Sequence, residues 1–282
     1  MRIEPASQHV GAHVSGVDLR ALDDETTQQL RSAWNEYGVL FFRDQHLTPD
    51  EHKAFARRFA EIDVNRFFKP VDGHPEVAEV LKEPDQLVNI GGAWHTDHSY
   101  DRIPARGSIL LAREVPPTGG DTLFASVAAA YDALSPGLQR TLETLRVRHS
   151  NRHVFGEQSE NAQGRGGRIT TNDELVSDAV HPAVLHHPET GRKLLYVNIA
   201  FVRGFVDWTD EESRPLLHHL YEHVAQEQFT YRFQWAPGSI AMWDNRSTWH
   251  NAMNDYFGHR RLMHRITIAG VPLSGPVDEL AA

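Results

Sequence analysis

The chain has 282 residues, of which 40% are hydrophobic and 23% charged, an ordinary composition for a soluble globular protein and within the size of one barrel or sandwich with helical additions. Its formal net charge of −10 argues against a general nucleic-acid binder, which needs a basic surface, but allows a local cationic pocket for a small anion. The absence of cysteine excludes disulfides and cysteine-ligated zinc or iron–sulfur centres, and with no apolar leader after Met1 and no apolar run near the ~20 residues of a membrane span, a cytoplasmic enzyme working away from membranes is expected.

In chain order, a helix is predicted over 24–37, with Leu30 and Trp34 four apart on one face, followed by a short buried strand Val39-Leu40-Phe41-Phe42. Thr48-Pro49-Asp50-Glu51 is a capping box with proline at the first helical position, and Phe55 and Phe59 continue that helix's apolar face. Strands are predicted at 108–112 and 121–124, separated by the turn Pro116-Pro117-Thr118-Gly119-Gly120. Helices follow over 127–145, broken near Ser135-Pro136-Gly137. The segment 156–173 is polar and glycine-rich, and is expected to be either an active-site lid or a surface loop. The turn 186–192 leads into a strand over 193–198, and Thr209-Asp210-Glu211-Glu212 caps a helix carrying Leu216, Leu217, Leu220 and Val224. Strands at 230–235, 239–243 and 261–268 complete the chain, with a turn at Pro237-Gly238. Many short strands joined by turns, with helices at the flanks, predict one mainly β domain over 1–282 with a double-stranded β-helix (jelly-roll) core.

Two patterns carry chemistry. In Trp94-His95-Thr96-Asp97 an imidazole and a carboxylate stand two residues apart, so on an extended strand both side chains point to one face. A second histidine supplied by the fold, such as His250 in Trp249-His250, would complete a two-histidine, one-carboxylate facial triad, the ligand set of non-haem Fe(II) oxygenases. In a chain with 18 histidines, the pair taken alone fits a surface loop or a hydrogen-bonded core histidine equally well. On 260–268, Arg261, Met263, Arg265 and Thr267 share one face, and Leu262, His264, Ile266 and Ile268 the other. If the apolar face packs on helices, two guanidiniums enter the barrel, where arginine suits bidentate binding of a carboxylate or sulfonate; the alternative is a solvated sheet face.

Together these segments strongly resemble the taurine dioxygenase / 2,4-dichlorophenoxyacetate dioxygenase family of Fe(II)/2-oxoglutarate enzymes. The resemblance begins at Gly11-Ala12-His13-Val14-Ser15-Gly16-Val17-Asp18-Leu19 and runs through Trp94-His95-Thr96-Asp97 and Gly119-Gly120-Asp121-Thr122-Leu123-Phe124. It closes on Trp243-Asp244-Asn245-Arg246, His250, Asp255-Tyr256, Arg260-Arg261, Met263-His264-Arg265 and Thr267-Ile268. It implies His95, Asp97 and His250 as iron ligands, Arg261 as the partner of the distal carboxylate of 2-oxoglutarate, and Thr122 as an added hydroxyl contact. Arg265 matches an arginine near both the co-substrate and the anionic group of the primary substrate. Trp243 matches an aromatic near the iron and serves equally as core packing. The implied reaction consumes O₂ and 2-oxoglutarate, releases succinate and CO₂ and hydroxylates a small substrate; where the carbon bears sulfur, oxygen or nitrogen, bond cleavage can follow. Family members are commonly dimers or tetramers, so a homo-oligomer is expected.

The resemblance departs from its taurine-specific members. These carry a histidine and a tyrosine after the pair that stands here as Arg58-Phe59, where this chain has Asn65 and Phe68. An asparagine used for taurine just before the Trp-His motif is replaced within Asn89-Ile90-Gly91-Gly92-Ala93, where glycines leave room and remove a polar contact. Taurine is therefore not the expected substrate. Arg265 favours a carboxylate, sulfonate or sulfate, and Asn65, Phe68, Asn89, His98, Tyr100 and His153 are candidate pocket residues. The alternatives are a biosynthetic oxygenase on a modified amino acid and a non-catalytic metal-binding sensor. A halogenase is disfavoured, because it would need a small residue at Asp97.

Overall fold

The structure is a computed structural model and describes residues 1–159 and 169–280. Strands β1 (Arg2–Pro5) and β2 (Ala12–Ser15) precede helix α1 (Asp24–Tyr37), β3 (Val39–Phe42) and α2 (Pro49–Arg57). Strands β4 (Ile62–Asp63), β5 (Pro70–Val71), β6 (His74–Lys82), β7 (Gly107–Glu114) and β8 (Thr122–Ser126) follow, then α3 (Val127–Asp132) and α4 (Pro136–Leu142). A peripheral region carries β9 (Arg146–Ser150), α5 (Arg152–Phe155), β10 (Asp178–Pro182), β11 (Val184–His186), β12 (Lys193–Leu195) and β13 (Val202–Phe205). Helix α6 (Asp210–Val224) leads into β14 (Thr230–Phe233), β15 (Ile240–Asp244), β16 (Thr248–Ala252) and β17 (Arg261–Ile268), and a short α7 (Pro276–Glu279) follows.

Local chemistry sets the helix ends. Asp23 caps α1 by accepting from the Thr26 N–H, and Gly38, at φ 72°, takes the left-handed turn that ends it. Both expected capping boxes form, Thr48 with Glu51 on α2 and Thr209 with Glu212 on α6. The expected strand over 193–198 stops at Leu195, and the expected break between α3 and α4 falls at 133–135.

Nine strands form the main sheet, in the order β1-β2-β3-β15-β7-β17-β6-β5 with β4 added alongside β17. A smaller sheet, β14-β8-β16, faces it. Period-two alternation sorts each main strand between two cores. Ile109, Leu111, Ile240, Met242, Ile266 and Ile268 pack on α1 and α2 through Leu30, Trp34, Phe55 and Phe59. Leu110, Ala112, Ala241, Trp243 and Met263 point the other way, into the space between the sheets, where Phe41 stacks on Phe233 at 4.3 Å. These facing sheets are the expected double-stranded β-helix. Strand β6 was not expected, because its sequence, with Pro75, Glu76 and Glu79, lacks clean alternation. It is a strand because β17 offers it an edge, in register from Arg261 opposite Lys82 to Arg265 opposite Ala78. Among the described residues no helix is long and apolar enough to cross a membrane.

Candidate active site

His95, Asp97 and His250 reach one point from two segments. His250 lies on β16, and His95 pairs with it across an isolated antiparallel bridge: the His250 N–H donates to the His95 carbonyl (2.8 Å) and the His95 N–H to that of His250 (3.1 Å). Residues opposed in this way share a face, so the two imidazoles meet with centroids 4.0 Å apart. Asp97 turns to the same side, its Oδ1 3.7 Å from His95 Nε2 and its Oδ2 3.8 Å from His250 Nε2. One donor atom from each residue lies within 4.8 Å of the other two, close enough for one metal ion to reach all three.

The protonation states suit ligation. The Ala93 carbonyl, which only accepts, sits 2.7 Å from His95 Nδ1, so that nitrogen carries the proton and the Nε2 lone pair faces the cluster. Burial and the neighbouring His95 hold His250 well below the ordinary histidine value, which leaves it neutral. Burial alone would raise the Asp97 carboxyl, but Arg265 and the two imidazoles outweigh it and keep it ionised. Trp243 packs 4.7 Å from the His250 ring and also belongs to the core between the sheets. The Thr96 hydroxyl donates to the Asn245 carbonyl and ties down the residue between His95 and Asp97.

The two arginines of β17 share a face, as the alternation predicted, and of the two directions it left open they take the inward one. Arg261 is buried, its Nε and Nη2 have no hydrogen-bond partner, and Asp121, whose charge it feels, is taken by Arg232 (2.6 Å). A buried guanidinium without a counter-charge is costly, so this end of the site fits a carboxylate brought in by a ligand. Thr122 lies on the same cavity wall, with its Oγ1 accepting from Trp235 Nε1 (3.0 Å) and its own proton free to donate. In the glycine pair that precedes Asp121 and Thr122, Gly120 stands at φ 69°, and a Cβ there would lie 3.3 Å from Arg261 Cδ and 3.0 Å from Pro116. Arg265 stands at the triad, its Nη1 3.3 Å from Asp97 Oδ1 and its guanidinium 4.8 Å above the Phe68 ring.

These groups line one cavity of about 420 Å³. Asn65, Phe68, Asn89, His98 and Tyr100 line it too; His153 does not, since it turns its Nε2 to the Ala200 carbonyl. Asn65 accepts from the N–H groups of Phe67 (2.9 Å) and Phe68 (3.1 Å), which leaves its buried Nδ2 without a partner. Asn89 acts as a buckle, donating to the carbonyls of Ala252 (2.8 Å) and Met253 (3.3 Å). His98 holds a left-handed backbone (φ 59°) and is braced by Asp101 at 3.0 Å. The room left by Gly91 and Gly92 is filled by the protein itself. A Cβ on Gly91 would lie 3.3 Å from His95 Cε1, and one on Gly92 would lie 2.5 Å from Asn89 Oδ1.

Sequence reasoning named Phe68 and Tyr100 but missed the other rings of the aromatic wall, Phe67, Phe155 and Phe201. Phe67 stacks on Phe155 at 3.8 Å, and Tyr100 meets Phe201 edge-on at 4.7 Å. These rings come from separate segments, and no local pattern marks them. It also missed Ser108, whose Oγ donates to Asp97 Oδ2 (2.9 Å), although alternation with Ile109 and Leu111 places Ser108 on the inner face. Of the expected lid over 156–173, residues 160–168 lie outside the described residues; Phe155 just before it and Ile169 within it line the cavity.

A family model described as "Taurine catabolism dioxygenase TauD, TfdA family" matches residues 2–267. The chain is 36% identical over 279 residues to the (S)-phenoxypropionate/alpha-ketoglutarate-dioxygenase of Sphingobium herbicidovorans, covering 96% of each protein. It is 34% identical to an alkylsulfatase of Acinetobacter baylyi, over 98% of this chain and 87% of that one. A solved taurine dioxygenase from Burkholderia xenovorans superposes with a TM-score of 0.83 at 37% identity, over 98% of this chain and 91% of that one. Likeness on this scale, in sequence and in backbone, establishes that the chain belongs to the TauD/TfdA family and is an Fe(II)- and 2-oxoglutarate-dependent dioxygenase.

Proposed function

We propose that His95, Asp97 and His250 hold the iron, that Arg261 and Thr122 take the distal carboxylate of 2-oxoglutarate, and that the primary substrate is a small organic anion with an apolar or aryl body and no ammonium group. Bound there, iron and 2-oxoglutarate supply the oxidising chemistry that consumes O₂, releases succinate and CO₂ and places one oxygen atom on a substrate C–H bond. The chain's own residues bind, orient and exclude water. Arg265 meets the substrate's anionic group, with the free Nδ2 of Asn65 as an added donor. Phe67, Phe68, Tyr100, Phe155 and Phe201 enclose the body and keep the reacting carbon in a dry pocket.

The observation that carries this reading is the charge of the cavity wall. Two arginines line it, and Asp97, which belongs to the triad, is the one carboxylate among its described lining residues. An ammonium group entering the cavity would have no counter-ion, which disfavours taurine and any amino acid with a free amine. The names of the two relatives, a phenoxypropionate dioxygenase and an alkylsulfatase, agree with an anion of this kind.

Succinate formation with phenoxypropionate, hexyl sulfate and taurine tests the proposal. An unpaired buried polar group costs about 2–7 kcal/mol, so taurine should be at least about 30-fold poorer in kcat/KM than the better of the two ammonium-free anions. Taurine turnover equal to theirs would overturn the substrate assignment.

A further inference from the structure

Both oxygens of Asp97 are held by other side chains. Ser108 Oγ on β7 donates to Oδ2 over 2.9 Å, and Arg265 Nη1 on the adjacent β17 donates to Oδ1 over 3.3 Å. All three side chains are buried, and Ser108 is fully enclosed. A guanidinium beside a carboxylate in such surroundings favours the bidentate fork, with two short parallel bonds. Arg265 does not make it. It forms one long bond to Asp97, and its Nε is buried without a partner. A fork would need Oδ2 as its second acceptor, and Oδ2 is the oxygen that Ser108 holds.

We propose that Ser108 is a positioning residue: its hydrogen bond holds Asp97 in the metal-binding orientation against capture by Arg265, and so keeps both the triad and the anion-binding arginine available. The proposal rests on the reading of His95, Asp97 and His250 as the metal site. A fork closed between Asp97 and Arg265 would remove the carboxylate ligand from the metal and the cation from the substrate in one movement. Ser108 touches neither, and acts only through Asp97.

Mn(II) binding, followed by the EPR signal of the free ion, tests this on the full chain without turnover. Ser108→Ala should weaken Mn(II) binding about 10- to 100-fold, the usual effect of losing a partner of a metal ligand, and Ser108→Thr should restore it to within about threefold. Arg265→Gln should bind Mn(II) at least as tightly as the natural chain, and adding it to Ser108→Ala should recover most of the loss. A Ser108→Ala affinity within about twofold of the natural chain, or an Arg265→Gln change that deepens the loss, would overturn the proposal. If Ser108→Ala does not fold, Arg265→Gln decides alone, because weaker binding there would make the arginine a support of Asp97 and not its competitor. The underlying reading is tested separately by Asp97→Asn: Mn(II) binding unchanged in that variant removes the metal site itself, whereas its loss beside an indifferent Ser108→Ala removes only the role of Ser108.

Discussion

Arg261 enters the cavity from β17, and His95 from the segment bridged to His250 on β16. Alternation placed Arg261 beside Arg265 on one face without fixing which way it turned, and the expected extended strand under His95 and Asp97 is an isolated bridge at His95 followed by a turn at Asp97. A charged hydrogen bond is worth about 1.5–3 kcal/mol, so Arg261→Gln should raise the KM for 2-oxoglutarate roughly 10- to 150-fold while Fe(II) binding is unchanged, measured by succinate formation against co-substrate concentration. In His95→Ala the weak visible charge-transfer band of the anaerobic Fe(II)/2-oxoglutarate complex should be absent; its persistence in folded protein would remove His95 from the ligand set. His153 marks the limit of this kind of reading. It stands next to Val154 and Phe155, which line the cavity, yet its own ring turns to Ala200. One position along a short helix rotates a side chain by about 100°, and nothing in the local sequence says which neighbour faces the site.

Among elements, the helices with caps were legible and the strands without alternation were not. Thr48 and Thr209 each announce a helix through a glutamate three residues on, because reciprocal hydrogen bonds close within four residues. Thr209→Ala should cost about 1 kcal/mol, a fall in Tm of roughly 2–4 °C by calorimetry, with no change in the KM for 2-oxoglutarate, since α6 lies away from the site. The Gly119-Gly120 turn gives the opposite result. Gly120→Ala places a Cβ at a positive φ against Arg261, so it should raise the KM for 2-oxoglutarate as well as lower Tm, the strain alone costing about 1–2 kcal/mol. Strand β6 was hidden because the edge of β17 makes it a strand, and that partner lies about 180 residues further along the chain.

At the scale of the whole molecule, the packing of α2 on the main sheet gives stability a pH dependence. Burial holds His52 at about 3 and His264 at about 4, both below the ordinary histidine value of 6.5. Near neutral pH both are largely uncharged in folded and unfolded chains alike, so neither carries a charge into the core. As pH falls below 6.5 the unfolded chain takes up protons that the folded chain refuses. Stability is therefore full above that value and declines as pH drops toward the folded values, by up to about 1.4 kcal/mol per pH unit for each histidine. Urea midpoints between pH 7 and 5 should show the decline, and His52→Leu should make it shallower; an unchanged slope would exclude His52 as its source. The reaction class was legible in the chain through the ordered motifs that carry its family resemblance, whereas the His-x-Asp spacing and the alternation of β17 each left it open when taken alone. The choice of substrate was not. On the reading proposed above it depends on Phe67, Phe155 and Phe201 lining one cavity with Arg265, and on Asp97 being the one carboxylate among that cavity's described lining residues. Those groups come from segments far apart in sequence, and only the packing of the sheets and their flanking loops brings them within contact of one another.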